Sequence, residues 1–397
     1  PLFHIMQIII IGNGMYVTGR GTSGLGTIMP AIHRFQKQYS SIDEVHLIGK
    51  RVEGVKEARE KVSTLEDRTG VQIPIRYYPD KTGNSDYKND LNAVKNKACA
   101  IVCVPDHLHY EVTKACLERG FHTLVVKPLT PTLAEGTDLV RIADENQVYG
   151  MVEFHKRWDR QNRILKEMYQ SGQFGDPLYT WTEYSQRKSI PSKVFRNWVE
   201  QTNIFQYLGV DYVDIVRFVT GATPTKVMAT GQMGWLKEQG IDVHDAIQSN
   251  IEWALPSGRT FMQTLLVNWI DPETSSSMSD QRIKFVGTKG RFEGDQKERG
   301  IRTLIDGTNL EEPNPDFCYP YQTHDGRWQW EGYGIESVVT FLTDVSDLND
   351  KKVTLNILEK ERPTFPGRIL GPTQARAVDH RRLPSCQMDC QASQPLR

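Results

Sequence analysis

The chain has 397 residues, enough for two or three domains that each bury a core of their own. With 38% hydrophobic and 24% charged residues, the composition is typical of a soluble globular protein, and no apolar run approaches the roughly 20 residues of a membrane span. A formal net charge of −1 gives no electrostatic support for binding nucleic acid or an anionic membrane, so neither partner is expected.

The cysteines and the N-terminus indicate a cytoplasmic location. The six cysteines have neither disulfide nor zinc spacing, which predicts free thiols in a reducing compartment and no metal site. The five residues before Met6 are too few for a signal peptide, and we expect the protein itself to start at Met6.

The chain opens with a strand, a glycine turn and a helix. Residues 8–11 are an unbroken β-branched run, typical of a strand buried on both faces, and Gly12 and Gly14 follow at once. An apolar segment with helical spacing comes next, at residues 28–35. In this context the first glycine permits a tight turn, and the second lets the backbone approach a pyrophosphate.

The glycine turn therefore predicts a nicotinamide dinucleotide site that includes Gly12, Gly14 and the adjacent Met15 and Tyr16. The third glycine of the G-x-G-x-x-G pattern would fall on Val17. Either the helix starts late after a longer loop, or the phosphate-binding site has an unusual form. The alternative without a nucleotide is an ordinary tight turn between a strand and a helix.

Two cations follow the predicted second strand at residues 45–49. At the end of this strand an acidic residue would bind the ribose 2′-hydroxyl of NAD, but the sequence continues with Lys50 and Arg51. Two cations could hold the 2′-phosphate of NADP, so NADP is favoured over NAD. A solvated loop is the alternative.

Strands and helices alternate through residues 6–153 and predict an N-terminal Rossmann domain with a doubly wound parallel sheet. Ligands bind such sheets at the carboxyl ends of the strands. Pro105, His109 and Lys127 fall at such ends. The further predicted strands are residues 73–78, 100–104, 122–126 and 148–154, the predicted helices are 52–67, 111–119 and 133–145, and residues 80–90 are predicted to be a loop.

Residues 154–366 predict an α+β domain with a large open, mainly antiparallel sheet, whose open face needs a cover. A turn at residues 256–258 joins two of its strands as a hairpin. Residues 367–397 lack periodicity and are predicted to be a disordered tail, or the product of a shifted reading frame. The predicted strands are residues 178–184, 225–230, 246–255, 260–268 and 282–286, and the predicted helices are 163–169, 204–220 and 334–348.

Seven short motifs follow one another over residues 6–366: Gly12-Asn13-Gly14, Val104-Pro105-Asp106-His107-Leu108-His109, Val125-Val126-Lys127-Pro128, Glu153-Phe154-His155-Lys156-Arg157, Leu208-Gly209-Val210-Asp211-Tyr212-Val213-Asp214, Gly287-Thr288-Lys289-Gly290-Arg291 and Arg362-Pro363. In this order the chain resembles the Gfo/Idh/MocA family of NAD(P)-dependent oxidoreductases, which act mostly on sugars, cyclitols and their derivatives. Each motif alone is weak, but their order and spacing are specific.

The resemblance implies a catalytic lysine and shows that the family's second catalytic motif is altered in this chain. The family's Glu-Lys-Pro motif corresponds to Val126-Lys127-Pro128, which implies that Lys127 lies beside the nicotinamide and transfers the proton of the substrate hydroxyl. The family's Asp-x-x-x-His corresponds to Tyr207 and Asp211. Asp211 then serves as a base with Tyr207 as a donor to a substrate oxygen, or the change marks altered or lost catalysis.

Other candidates rest on the same resemblance. His155 and Arg157 would face the cleft and bind substrate hydroxyls, or they form structural salt bridges. Trp198 would cover the nicotinamide or a sugar face, or it is a core residue. His109 would lie near the cofactor ribose, or it only packs at the start of a helix.

Together these features predict an enzyme that transfers a hydride between NADP or NAD and a secondary alcohol or ketone of a sugar, cyclitol or sugar derivative. The resemblance also implies that the domain at residues 154–366 binds the substrate and that its sheet assembles a homodimer or homotetramer. The alternative is a catalytically altered or inactive nucleotide-binding sensor or regulator on the same fold.

Overall fold

The computed structural model of the protein describes residues 6–80, 85–94 and 98–361. It contains two six-stranded sheets and a two-stranded one. The predicted tail at residues 367–397 and the motif Arg362-Pro363 lie outside the described residues. No helix in the described part of the chain is both long and apolar enough to cross a membrane.

The first sheet is parallel and doubly wound. Its strands are β1 (Met6–Ile11), β2 (Ile42–Ile48), β3 (Ile75–Tyr78), β4 (Ala98–Val102), β5 (His122–Val126) and β6 (Gly150–Glu153). The helices around it are α1 (Met15–Thr18), α2 (Ile28–Tyr39), α3 (Val52–Thr69), α4 (Tyr87–Asn92), α5 (His109–Leu117) and α6 (Leu133–Glu145). The strand order is β3-β2-β1-β4-β5-β6, and it reverses between β1 and β4. Ligands bind doubly wound sheets at this switch point.

The sheet is buried on both faces, as the unbroken isoleucine run predicts. Ile8 and Ile10 belong to one core cluster, with residues of α2 and α3. Ile9 and Ile11 belong to the other, with residues of α5 and α6. Burying successive side chains in opposite clusters fixes β1 at the centre of the sheet.

The second half forms a mixed, mainly antiparallel sheet. Its strands are β7 (Pro177–Arg187), β8 (Thr223–Gln232), β9 (Ala246–Ala254), β10 (Thr260–Asp271), β11 (Ser279–Gly287) and β12 (Arg291–Asp295), beside helices α7 (Arg160–Gln170), α8 (Val210–Thr220) and α9 (Trp235–Glu238). The order is β12-β11-β7-β10-β9-β8, in which β7 and β10 pair in parallel. The predicted hairpin at residues 256–258 joins β9 to β10. Both halves of the predicted fold class are confirmed.

The last elements return to the first sheet. They are the hairpin β13 (Tyr319–Gln322) and β14 (Trp328–Glu331), then α10 (Tyr333–Asn349) and α11 (Leu355–Glu361). The apolar face of α10 lies in the same core cluster as α2 and β1. This helix therefore contributes to the core of the first sheet although it follows the second sheet in sequence. The domain boundaries at residues 6–153 and 154–366 stay a prediction.

Two local predictions differ from the structure. The polar segment at residues 80–90, predicted to be a loop, contains the start of α4, whose N-cap Asp86 accepts a hydrogen bond from the Lys88 amide. Residues 204–220, predicted to be one helix, consist of a π-helical turn (Phe205–Gly209) that continues into α8. Apolar periodicity does not distinguish these two kinds of turn.

The first two glycines of the motif allow a matched test of the turn after β1. Gly12 has φ +111°, and a Cβ there would lie 1.9 Å from the Cys103 carbonyl oxygen, whereas a Cβ on Gly14 would meet no atom within 4 Å. Gly12→Ala is therefore expected to lower the free energy of unfolding by about 2–4 kcal/mol through strain and overlap. Gly14→Ala should cost less than about 1 kcal/mol. Urea denaturation of both variants checks this, and equal stabilities would contradict it.

Candidate functional site

Lys127 joins the carboxyl end of the first sheet to the second half of the chain. It follows β5 directly and precedes Pro128 across a cis peptide bond. Its ammonium donates to the backbone carbonyl of Tyr207 and lies 4.0 Å from the centre of that residue's ring. The same Nζ is 3.7 Å from Asp211 Oδ2. The three predicted catalytic residues are thus together.

Asp211 is a buried carboxylate in the first turn of α8. Neither of its oxygens has a hydrogen-bond partner in the described part of the chain, and the Lys127 contact is longer than a hydrogen bond. Leaving a buried carboxylate without hydrogen bonds is costly, and native proteins seldom do so away from functional sites. Its free lone pairs suit a ligand that carries hydroxyl groups.

Lys156 is a site residue that the sequence reasoning missed. It lies in the motif after β6 between the two residues chosen there, His155 and Arg157. Its side chain is buried, and its ammonium donates to Gln281 Oε1 and, at 2.7 Å, to Gln296 Oε1. Burial lowers the pKa of Lys156 to about 8, although the Asp211 charge opposes this shift. The available signal was a lysine shortly after the carboxyl end of a strand in the parallel sheet, since ligands bind such sheets at these ends.

Aromatic rings enclose the lysine and carboxylate pair on one side. The Tyr207 ring lies 4.9 Å from Phe195, 6.4 Å from Trp198 and 6.2 Å from Trp269 between centroids. Burial raises the pKa of Tyr207 well above its ordinary value, so its hydroxyl stays protonated and able to donate. Trp198 lies in this ring cluster, which places it near the pair and gives it a packing role as well.

His155 and Tyr16 meet at Glu153, which ends β6. The Tyr16 hydroxyl donates to Glu153 Oε1 at 3.1 Å, Ser337 donates to the same oxygen at 2.6 Å, and His155 Nδ1 lies 3.2 Å from Oε2. The His155 ring stacks on Tyr333 at 5.6 Å. These bonds fix helix α1, which also contains Met15, against the end of β6.

Arg157 forms a buried salt bridge, which is one of the two roles predicted for it. Its Nε and Nη2 donate to the two oxygens of Asp214 at 2.7 and 2.6 Å, and both side chains are buried. A bidentate pair of this kind fixes the guanidinium. This geometry supports the structural alternative, and a substrate contact by Arg157 stays a prediction.

His109 and Pro105 frame the end of β4. The buried His109 ring directs one nitrogen to the Pro128 carbonyl and the other to the Val104 carbonyl, at 2.8 Å for the latter. It therefore ties the loop after β5, which contains Lys127, to the loop after β4. This supports the packing role. A contact from His109 or Pro105 to the cofactor stays a prediction.

The turn after β1 leaves room for a phosphate group. The space beside Gly14 is open, whereas Gly12 packs against Cys103. Lys50 and Arg51, after β2, are exposed, and neither has an ion-pair partner within the described ranges. An open glycine backbone beside unpaired cations fits a dinucleotide.

Comparisons with family models match most of both halves. Residues 21–154 match the model described as "Oxidoreductase family, NAD-binding Rossmann fold", and residues 162–293 match the "GFO/IDH/MocA C-terminal domain". Together they span more than half of the chain. The first match begins after the turn at Gly12 and Gly14, so this turn is assigned from its geometry alone.

Similar proteins include inositol dehydrogenases. A scyllo-inositol 2-dehydrogenase (NADP(+)) of Bacillus subtilis is 41% identical over 19% of this chain and 21% of its own length. A myo-inositol 2-dehydrogenase of Thermotoga maritima is 25% identical over 72% of this chain and 78% of its own length. Three of the curated relatives are matched over only 21%, 54% and 24% of their own lengths.

Among solved structures, the fold is similar to a scyllo-inositol dehydrogenase from Lactobacillus casei with bound NAD(H) and scyllo-inositol. The TM-score is 0.59 at 13% identity, covering 89% of this chain and 92% of the other. This likeness supports the fold assignment.

The buried Lys156 makes stability depend on pH in a defined direction. Its pKa of about 8 in the folded protein lies below the ordinary value of 10.5, so between these values the unfolded chain binds more protons. Burying the charged lysine therefore destabilises the folded protein fully below pH 8. This destabilisation decreases as the pH rises to 10.5. Relative to Lys156→Met, wild type should gain about 1–3 kcal/mol of unfolding free energy over this interval, measured by urea denaturation. A pH-independent difference would contradict the lowered pKa.

Proposed function

Because the chain belongs to the Gfo/Idh/MocA family of oxidoreductases, we propose that it transfers a hydride between a nicotinamide dinucleotide and a secondary alcohol or ketone. A sugar, cyclitol or sugar derivative is the proposed substrate, in line with the inositol dehydrogenases among its relatives. The observation that carries the proposal is the buried Asp211 carboxylate, which lies 3.7 Å from Lys127 and lacks hydrogen bonds in the described part of the chain.

The Lys127 and Asp211 pair has the groups that this chemistry requires. The nicotinamide, when bound, accepts or supplies the hydride. In the oxidation direction the substrate hydroxyl must pass its proton to the Lys127 amine, while the free lone pairs of Asp211 can accept a hydrogen bond from a substrate hydroxyl. In the reduction direction the Lys127 ammonium can donate a proton to the oxygen that gains negative charge.

Lys127 is the proposed proton-transfer residue, and the surrounding chain fixes its position. The Tyr207 carbonyl and ring hold the ammonium, and His109 ties the loop after β5 to β4. The Asp211 carboxylate and a second ammonium, that of Lys156, complete the charges around it.

For the cofactor we propose NADP over NAD, because cations replace the acid after β2. We also propose that Met15 and Tyr16 contact the cofactor from α1. The cytoplasm is the proposed location, in keeping with the free thiols of Cys99, Cys103 and Cys116.

The second candidate function is a nucleotide-binding sensor without turnover. It is favoured by Asp211 at the position where the family usually has histidine. A sensor would bind the dinucleotide without reducing it in the presence of any sugar or cyclitol. Detectable turnover therefore separates the two.

The oligomer proposal rests on the open face of the second sheet. Its buried face carries Ile251 and Leu265, whereas the opposite face exposes apolar side chains such as Tyr179, Met228 and Met262. Every residue of the edge strand β8 is exposed. An apolar sheet face and a bare edge of this length favour a partner, and a second copy of the chain satisfies both.

Charge at the centre of the open face should break the oligomer. Met262→Arg places a cation on the central strand β10. Burying this unpaired charge between the sheets of two subunits would cost several kcal/mol. Light scattering coupled to size exclusion should show a dimer or tetramer for wild type and a smaller species for the variant. Leu304→Arg, at an exposed apolar residue away from this sheet, is the control and should leave the mass unchanged. A monomeric wild type would refute the proposal.

Removing the Lys127 ammonium should abolish most turnover while sparing the cofactor site. Lys127→Ala is expected to lower kcat by about 10²–10⁴-fold, with dinucleotide affinity changed by less than about threefold. Asp211→Asn should lower kcat as much as Lys127→Ala does if the carboxylate carries the proton, and less if the carboxylate only orients the lysine. Steady-state kinetics with an identified polyol, and calorimetry for the cofactor, measure both quantities.

Two further variants make that result specific. Lys114→Ala removes a lysine of α5 that pairs with Asp138 of α6, and it should leave kcat unchanged. Tyr207→Phe keeps the ring and the backbone carbonyl that hold Lys127, so it should lower kcat less than Lys127→Ala does. Normal turnover in Lys127→Ala would show that another group transfers the proton.

A further inference from the structure

A closed loop separates α1 from α2. Gly19 and Gly26 form its base, with φ +80° and +78° and backbones so close that a Cβ on either would lie 2.8 Å from the other's nitrogen. The Thr27 amide donates to the Tyr16 carbonyl at 2.7 Å. Helix α2 therefore begins directly against α1, and residues 20–24 project from the junction.

This loop is attached to α3. The Gly21 amide donates to Glu57 Oε1 at 2.7 Å. One turn further along, Lys61 Nζ donates to two carbonyls of the loop at 2.5 and 2.9 Å. Glu57 and Lys61 are four residues apart and therefore share one face of the helix. The loop therefore has a defined position over the middle of α3.

The first residue of the loop, Arg20, is directed back to the carboxyl end of β2. Its Nε donates to the Asn13 carbonyl at 3.2 Å. Its Nη1 lies 2.9 Å from the place that a Cβ would take on Gly54, in the first turn of α3. No carboxylate within the described ranges pairs with Arg20, so its charge is available to a ligand.

Asn13 supplies a second, independent sign of a ligand. Its side chain is only 6% exposed, and Nδ2 has no acceptor among the described residues. Nδ2 lies 2.3 Å from a Cβ built on Gly49 and 3.6 Å from one built on Gly54. The buried amide and the guanidinium thus pack together against two glycines at the carboxyl end of β2.

We propose that Arg20 and Asn13 recognise the 2′-phosphorylated ribose of NADP, with Arg20 as the main determinant of cofactor preference. This rests on the proposed function and names the residues that select its cofactor. The carboxyl end of β2 is the ribose position of doubly wound sheets, and a guanidinium there matches a phosphate with a forked pair of donors. The Asn13 amide is a donor for a ribose or phosphate oxygen.

Arg20 is better prepared for this role than the two cations in the strand-end loop. Lys50 and Arg51 are exposed, without ion pairs in the described part of the chain, and would lose side-chain entropy on binding. Arg20 is already held through Nε, and its loop is held by α3. A preorganised donor loses less entropy for each bond that it forms, so it contributes more to discrimination.

Calorimetry of the full chain with 2′,5′-ADP and with 5′-AMP tests the proposal without turnover. Wild type should bind 2′,5′-ADP more tightly. Arg20→Ala should lose about ten- to hundred-fold in affinity for 2′,5′-ADP and less than about threefold for AMP. Lys61→Ala, which frees the loop but keeps Arg20, should weaken 2′,5′-ADP binding in the same direction. Arg68→Ala, at the far end of α3, is the matched control and should change neither affinity.

The outcomes separate this inference from the proposed function. Equal affinities of wild type for the two nucleotides, together with NAD-dependent turnover, would overturn the inference alone. Equal weakening of both nucleotides by Arg20→Ala, in a variant with unchanged melting temperature, would show that Arg20 only shapes the loop. Binding of neither nucleotide would overturn both.

Discussion

The arrangement of the site depends on one buried carboxylate, Asp211. Taking a carboxylate out of water costs several kcal/mol unless hydrogen bonds or opposite charges compensate. Here the compensation is the Lys127 ammonium at 3.7 Å and, further off, that of Lys156. Lys127 belongs to the first sheet and Asp211 to the helix that covers the second. The position of each sheet against the other therefore sets the electrostatics of the pair.

Two lysines beside one carboxylate leave the cluster with an excess of positive charge. Lys156 is deeply buried, and its pKa is lowered to about 8, while Lys127 remains partly accessible. Two glutamine oxygens hold Lys156. Gln281 belongs to the second sheet, and Gln296 belongs to the segment after it. We infer that Lys156 sets the potential around Asp211 and that Lys127 exchanges protons with the substrate.

Much of the fold could be predicted from the sequence because its signals are local. The isoleucine run of β1 and the turn at residues 256–258 show their structure in their own residues. Contacts between distant segments were less predictable. The periodicity of α10 predicted a helix but did not show that it covers the first sheet. The Arg157 pair with Asp214 and the burial of Lys156 depend on folding partners that no spacing in the sequence identifies.

Transfer of a deuterium atom measures the central claim most directly. Sugars and cyclitols carrying deuterium on their carbinol carbons are incubated with NADP or NAD, and the reduced dinucleotide is analysed by mass spectrometry. The account predicts one deuterium in the dinucleotide formed by wild type and labelling about 10²–10⁴-fold slower with Lys127→Ala. Tight dinucleotide binding with no labelled product from any of these polyols would contradict it and favour a sensor.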